Sequence, residues 1–137
     1  MADIAIAIRT ELLTEATITA IVGQRIYCDA MPQTATLPAI EMTIVSDVPE
    51  MQLSDITGLT QARIELLCIA DRRTTARALA QAIRTCGIAT IKGLYTSVWI
   101  RGVAIGESYD TVILPTDGTD ERRYQTAVHL LVAYMEQ

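Results

Sequence analysis

The sequence predicts an α+β fold: a four-stranded sheet, antiparallel or mixed, with two to three helices packed on one of its faces. Three observations carry this expectation. Apolar residues recur at helical spacing near the start of the chain and again between Ala76 and Ile83. They alternate at strand spacing in Ala39–Ser46, Thr60–Ala70, Ser97–Ser108 and Arg122–Met135. Glycines, prolines and acidic residues punctuate the stretches between. The length of 137 residues suits one domain over residues 1–137, long enough to bury one sizeable core.

In chain order, Ile4, Ile8 and Leu12 form a helical stripe that Ala5 and Leu13 widen. A second short helix carries Ile18, Ile21 and Val22 on one side and ends at Gly23, a suitable C-terminal cap. Arg25-Ile26-Tyr27 is a brief extended segment, and the prolines between Asp29 and Pro38 mark a loop. Ile40, Met42 and Ile44 then share one face of a strand. Asp47 to Gly58 breaks that pattern and reads as an acidic loop. In the next strand Ala62, Ile64, Leu66 and Cys68 take one face, while Leu67 and Ile69 make its far end apolar on both. Asp71 is a candidate N-cap for a helix with Ala76, Leu79, Ala80 and Ile83 inward and Gly87 at its end. Gly102 and Gly106 inside the next strand predict a bulge or bend. Glu107–Glu121 reads as a second acidic loop. The last strand presents Tyr124, Thr126, Val128, Leu130, Val132 and Tyr134 on one face.

Composition excludes several classes. With 50% hydrophobic and 20% charged residues, the chain is not disordered. Mean hydropathy is +0.29, yet no apolar run approaches the ~18 residues of a membrane span. No basic segment precedes the first apolar residues, so no secretory signal is expected. Apolar residues in surplus without a span suggest burial between subunits. A net charge of −5, with one lysine among eleven basic residues, argues against a nucleic-acid reader. Three cysteines without CxxC spacing fit a reducing compartment.

The chemistry of catalysis is sparse. His129 is the one histidine, so no multi-histidine metal site can form. It lies on the second face of the last strand with Gln125, Ala127, Leu131 and Ala133, and a packed or interface role suits it better than general-base work. A dyad of His129 with Cys28, Cys68 or Cys86 stays open at this level. GxSxG, P-loop and GxGxxG motifs are missing, and Asp117-Gly118-Thr119-Asp120-Glu121 lacks the ligand spacing of an EF-hand. Trp99 reads as a core or interface anchor. Arg9, Arg63, Arg73 and Arg101 read as exposed-face residues. No enzyme activity and no cofactor are expected.

In order along the chain, Ile21-Val22-Gly23, Arg25-Ile26-Tyr27, Met31-Pro32-Gln33 and Leu37-Pro38-Ala39-Ile40 resemble the tail-completion, or tail-terminator, family of tailed bacteriophages. The Ala62–Ala70 strand feeding the Thr75–Ile83 helix, the Gly102-bearing strand and Arg122-Arg123-Tyr124 continue the resemblance over nearly the whole chain. Val112-Ile113-Leu114-Pro115 departs from it by lengthening the last loop. The resemblance implies a structural virion protein made in the bacterial cytoplasm. It implies a ring, a hexamer, that caps the head-proximal end of the tail tube, ends tube assembly and offers the head its joining surface. Its partners would be further copies of itself, the tail tube protein and a neck connector, with DNA passing through unbound. Other readings are a neck adaptor or stopper ring, or a small-ligand regulatory module. The latter should show a polar loop converging on a pocket.

Within that frame three sets of residues are expected to matter. Asp47, Glu50 and Asp55 would face the DNA channel, where carboxylates repel phosphate. Val112, Ile113, Leu114, Asp117 and Asp120 would form a docking loop. Leu67, Ile69, Ala127, His129 and Leu131 would form the subunit interface.

Overall fold

The computed structural model describes residues 3–29, 36–51, 56–95, 98–113 and 123–136. Helices α1 (Ile4–Leu12) and α2 (Ala16–Val22) lead into strand β1 (Ile26–Cys28), followed by β2 (Ala39–Met51) and β3 (Ile56–Ala70). Helix α3 (Arg73–Thr85) and a 3₁₀ turn (Gly87–Thr90) then precede β4 (Gly93–Tyr95), β5 (Val98–Ile113) and β6 (Arg123–Glu136).

The strands form one sheet in the order β1-β2-β3-β6-β5-β4, curled into a half-barrel. The expected α+β class holds, with helices against one face, but the sheet has six strands rather than four. The two extra strands are short borders. β1 pairs parallel to β2 over Ile26–Cys28, and β4 pairs antiparallel to β5 over Gly93–Tyr95. Three residues are too few to show an alternation, so composition alone cannot mark them as strands.

The motif around Gly23 explains how β1 is set. Gly23 closes α2 at φ 61, a left-handed conformation that favours glycine. Arg25 then donates from Nε to the Pro38 carbonyl at 2.9 Å, and the Ile40 amide donates to the Arg25 carbonyl at 3.0 Å. Arg9 of α1 donates from Nε to the Ile26 carbonyl at 2.7 Å. Two arginines thus stitch the helix pair to the start of the sheet, and Ile26 is buried between them.

The long strands run past the expected ends. β2 reaches Met51 and β3 begins at Ile56, so the acidic segment after Asp47 is largely a hairpin arm and not a loop. β5 reaches Ile113, so the first half of Glu107–Glu121 is also strand. Both departures share a cause. A polar strand is tolerated where its face meets solvent, provided that a neighbour supplies ladder partners, and β3 and β6 do so. The bulges expected from the glycines are present: the β5–β6 register shifts between Ile100 and Gly102 and between Ile105 and Ser108. The helix boundaries also move by a residue or two. The N-cap of α3 is Arg72 and not Asp71, with no side-chain cap, and α3 stops at Thr85, leaving Gly87 to open the 3₁₀ turn.

One apolar cluster joins the helices to the sheet. It contains Ile4, Ile8 and Leu12 of α1, Ile18 and Val22 of α2, Leu79 and Ile83 of α3, Ile64 and Leu66 of β3, and Val128, Leu130, Val132 and Tyr134 of β6. α3 crosses β3 and β6, the two central strands. Complete burial of each Leu or Ile here is worth about 1.5–3 kcal/mol.

Candidate assembly surface

β3 and β6 pair antiparallel with unbroken register from Leu59↔Met135 to Ala70↔Tyr124. The period of two therefore sorts their residues cleanly. Ile64 opposes Leu130 and both face the helices. Glu65 opposes His129, Arg63 opposes Leu131 and Leu67 opposes Ala127 on the second face. Along β5, Ala104 opposes Leu131 and Tyr109 opposes Ala127, bringing β5 residues onto the same face.

At the His129 end the face is polar and hydrogen-bonded, with His129 buried and Tyr109 itself exposed. His129 Nε2 lies 3.0 Å from Glu65 Oε2, and the Tyr109 hydroxyl donates to the same oxygen at 2.9 Å. The tyrosine ring leans on the imidazole at 5.7 Å between centroids. The hydrogen bond to Glu65 holds the Tyr109 hydroxyl above its ordinary pKa, because ionisation would set two negative oxygens together. Nδ1 of His129 is buried with no hydrogen-bond partner in the structure. Gly106 lies against this packing, since a Cβ there would sit 3.4 Å from the His129 carbonyl oxygen, an ordinary van der Waals contact. The cluster ties β3, β5 and β6 together across the face.

At the Leu131 end the face is apolar and open. Leu131 is 41% exposed, Val48 60% and Trp99 39%. A groove of about 700 Å³ runs along this end, lined by Val48, Arg63, Gly102, Ala104, Leu131 and Ala133 among others.

Two further contacts bind the rims. On the helix side Asp110 accepts from Thr126 Oγ1 at 2.9 Å and pairs with Arg77 and, at 3.5 Å, with Arg73 of α3. Burial is the largest single influence and raises the Asp110 pKa, but the Thr126 hydrogen bond and the two guanidinium groups together outweigh it and lower the carboxyl below its usual value. The Tyr134 hydroxyl donates to Asp47 at 2.8 Å, reaching diagonally across β3, where Asp47 opposes Ala62 and Tyr134 opposes Thr60.

The interface residues expected from sequence divide accordingly. Ile69, Ala127 and His129 are buried within the subunit, Leu67 is half-buried, and Leu131 is open. Trp99 is no core anchor, since it stays partly exposed. Asp47 is exposed and held by Tyr134, Glu50 lies in β2, and Asp55 lies outside the described residues. Of the expected docking loop, Val112 and Ile113 belong to β5, while Leu114, Asp117 and Asp120 lie outside the described residues. The Glu65–Tyr109–His129 cluster was missed. Its one signal was an outward Glu65 on a strand facing a lone histidine, which needs the register to become visible.

Cys68 lies on the helix face, across the sheet from His129. Burial pushes all three thiols above their ordinary pKa, which disfavours thiolate chemistry. Among the described residues no group of three or more His, Cys, Asp and Glu could hold a metal ion, and no helix is long and apolar enough to cross a membrane.

A subunit with its core completed on one sheet face and an apolar patch open on the other belongs to the class that docks onto other proteins. The family model of tail completion protein gp17 matches residues 6–86, more than half of the chain, and the chain belongs to that family. It is thus a structural component of a phage-like tail. Among solved structures it is similar to a chain from the virion of a native gene transfer agent particle. The TM-score is 0.62 at 18% identity, over 94% of this chain and 92% of that chain, which shows a shared fold. No match is found among curated proteins.

Proposed function

We propose that the protein forms a closed ring, a hexamer, that caps the head-proximal end of the tail tube, ends its assembly and presents the surface on which the head docks. The observation that carries this reading is the open apolar end of the sheet's second face in a chain of the tail-completion family. Head-to-tail contacts close into a ring when the rotation between neighbours permits, and Leu131 is the residue of the expected interface that is free to enter such a contact. Asp47, with Glu50 and Asp55, faces the channel and keeps it unattractive to phosphate. The segment from Val112 through Leu114, Asp117 and Asp120 contacts the ring above or below. Native mass spectrometry with negative-stain imaging at micromolar concentration tests the reading. A single sixfold ring species supports it, and a monomer at every concentration up to about 100 times that level removes it.

A further inference from the structure

Two strand edges of this sheet are left open, and they lie on opposite sides of it. β1 covers β2 at Ile40–Met42 alone, so the outer edge of β2 from Thr43 to Met51 has no strand partner among the described residues. β4 covers β5 at Val98–Ile100 alone, so the outer edge of β5 from Arg101 to Ile113 has none either. Open edges of this length present rows of unpaired amides and carbonyls that pair readily with another chain.

We infer that neighbouring subunits join by pairing the β2 edge of one copy with the β5 edge of the next, so that the sheet continues from subunit to subunit. The inference rests on the ring reading and names its contact. Strand direction supports a second copy as the occupant. β2, β3, β6 and β5 alternate in direction through three antiparallel pairings, so β2 and β5 run oppositely. A rotation about a ring axis preserves each strand's sense along that axis, so the two edges meet antiparallel, the stronger ladder. Side chains agree. On the second face Val48 stands exposed at the β2 edge, opposite Gln61. The β5 edge offers Gly102 and Ala104 beside the exposed Leu131. The small residues leave room in the groove for the neighbour's Val48. Pro49 and the bulges at both edges limit the ladder to short runs, which ties pairing to this partner and resists indefinite edge-to-edge growth.

Hydrogen exchange of the full-length wild type, compared between assembled and dilute protein, reads the ladder directly. Amides in 43–51 and 101–113 should exchange about tenfold or more slowly in the ring. A Val48→Cys, Ala104→Cys double variant should give an oxidised ladder up to the covalent ring, with either single variant, which retains the native cysteines, giving none. A ring that forms with both stretches exchanging as fast as in dilute protein overturns the edge pairing and leaves the ring standing. Protein that never assembles overturns both.

Discussion

The two faces of the sheet are built from the same strands and end in different states. On the helix side, Ile64, Leu66, Leu130 and Val132 lie under α3, in one cluster with residues of α1 and α2, and reach almost no solvent. On the other side no helix arrives among the described residues. There the strands link the His129 end through a carboxylate, a phenol and an imidazole, and leave the Leu131 end apolar and without such links. On the ring reading proposed above, the contrast sets the apolar core and the surface offered for association on opposite sides of one sheet. Substitutions on one side should therefore leave the property of the other intact.

The largest separation should come from Leu79→Ala. Leu79 is fully buried on the inner side of α3, so its truncation should cost about 2–5 kcal/mol in urea unfolding. A loss under about 1 kcal/mol would mean that α3 does not rest on this core. Leu131→Asp should do the reverse, lowering subunit stability by less than about 0.5 kcal/mol, as exposed substitutions do. It should also reduce the ring population more than tenfold by native mass spectrometry, at a cost of about 1.4 kcal/mol in assembly. Normal assembly of a folded Leu131→Asp protein would place the contact elsewhere.

Tyr134→Phe sharpens the comparison at the rim, where a core ring ends in a hydroxyl donated to exposed Asp47. Losing that hydrogen bond should cost about 0.5–1.5 kcal/mol while the ring's packing persists. The smallest effect belongs to Asp110. Its carboxyl titrates below the ordinary value when folded, so its stabilisation is present above the unfolded pKa and fades as pH falls through the folded one. Thermal melts should show Asp110→Asn less stable than wild type at pH 7 and converging with it in strong acid. A constant gap across that range would mean that the Arg73 and Arg77 pairing contributes nothing.

Much of this was legible in the sequence, and for identifiable reasons. The stripe Ile4, Ile8, Leu12 and the alternation through Ile64 and Leu66 each need a single period, and both faces were assigned correctly. The core shared by Leu79, Ile83 and the last strand followed from them. What escaped depends on pairing between distant segments. β1 and β4 are strands because β2 and β5 supply their ladders. Glu107–Ile113 is strand because β6 lies beside it, although its residues favour a loop. His129 was placed on the right face, but its burial comes from Tyr109, brought over by a bulge whose register no local pattern gives.

The position of β6 has a consequence in time. It is the last of the described strands in the chain and sits in the middle of the sheet, between β3 and β5. Until it is made, β3 has a neighbour on one side alone and β5 is held only by β4, so the nascent chain cannot complete its sheet. More than fifty residues separate the end of β3 from the start of β6, which at typical elongation rates is a wait on the order of seconds. The central ladder is also the most non-local one, and such pairings close slowly. The face that carries Leu131 therefore forms only after β6 has been synthesised, and a fragment that stops before β6 lacks it.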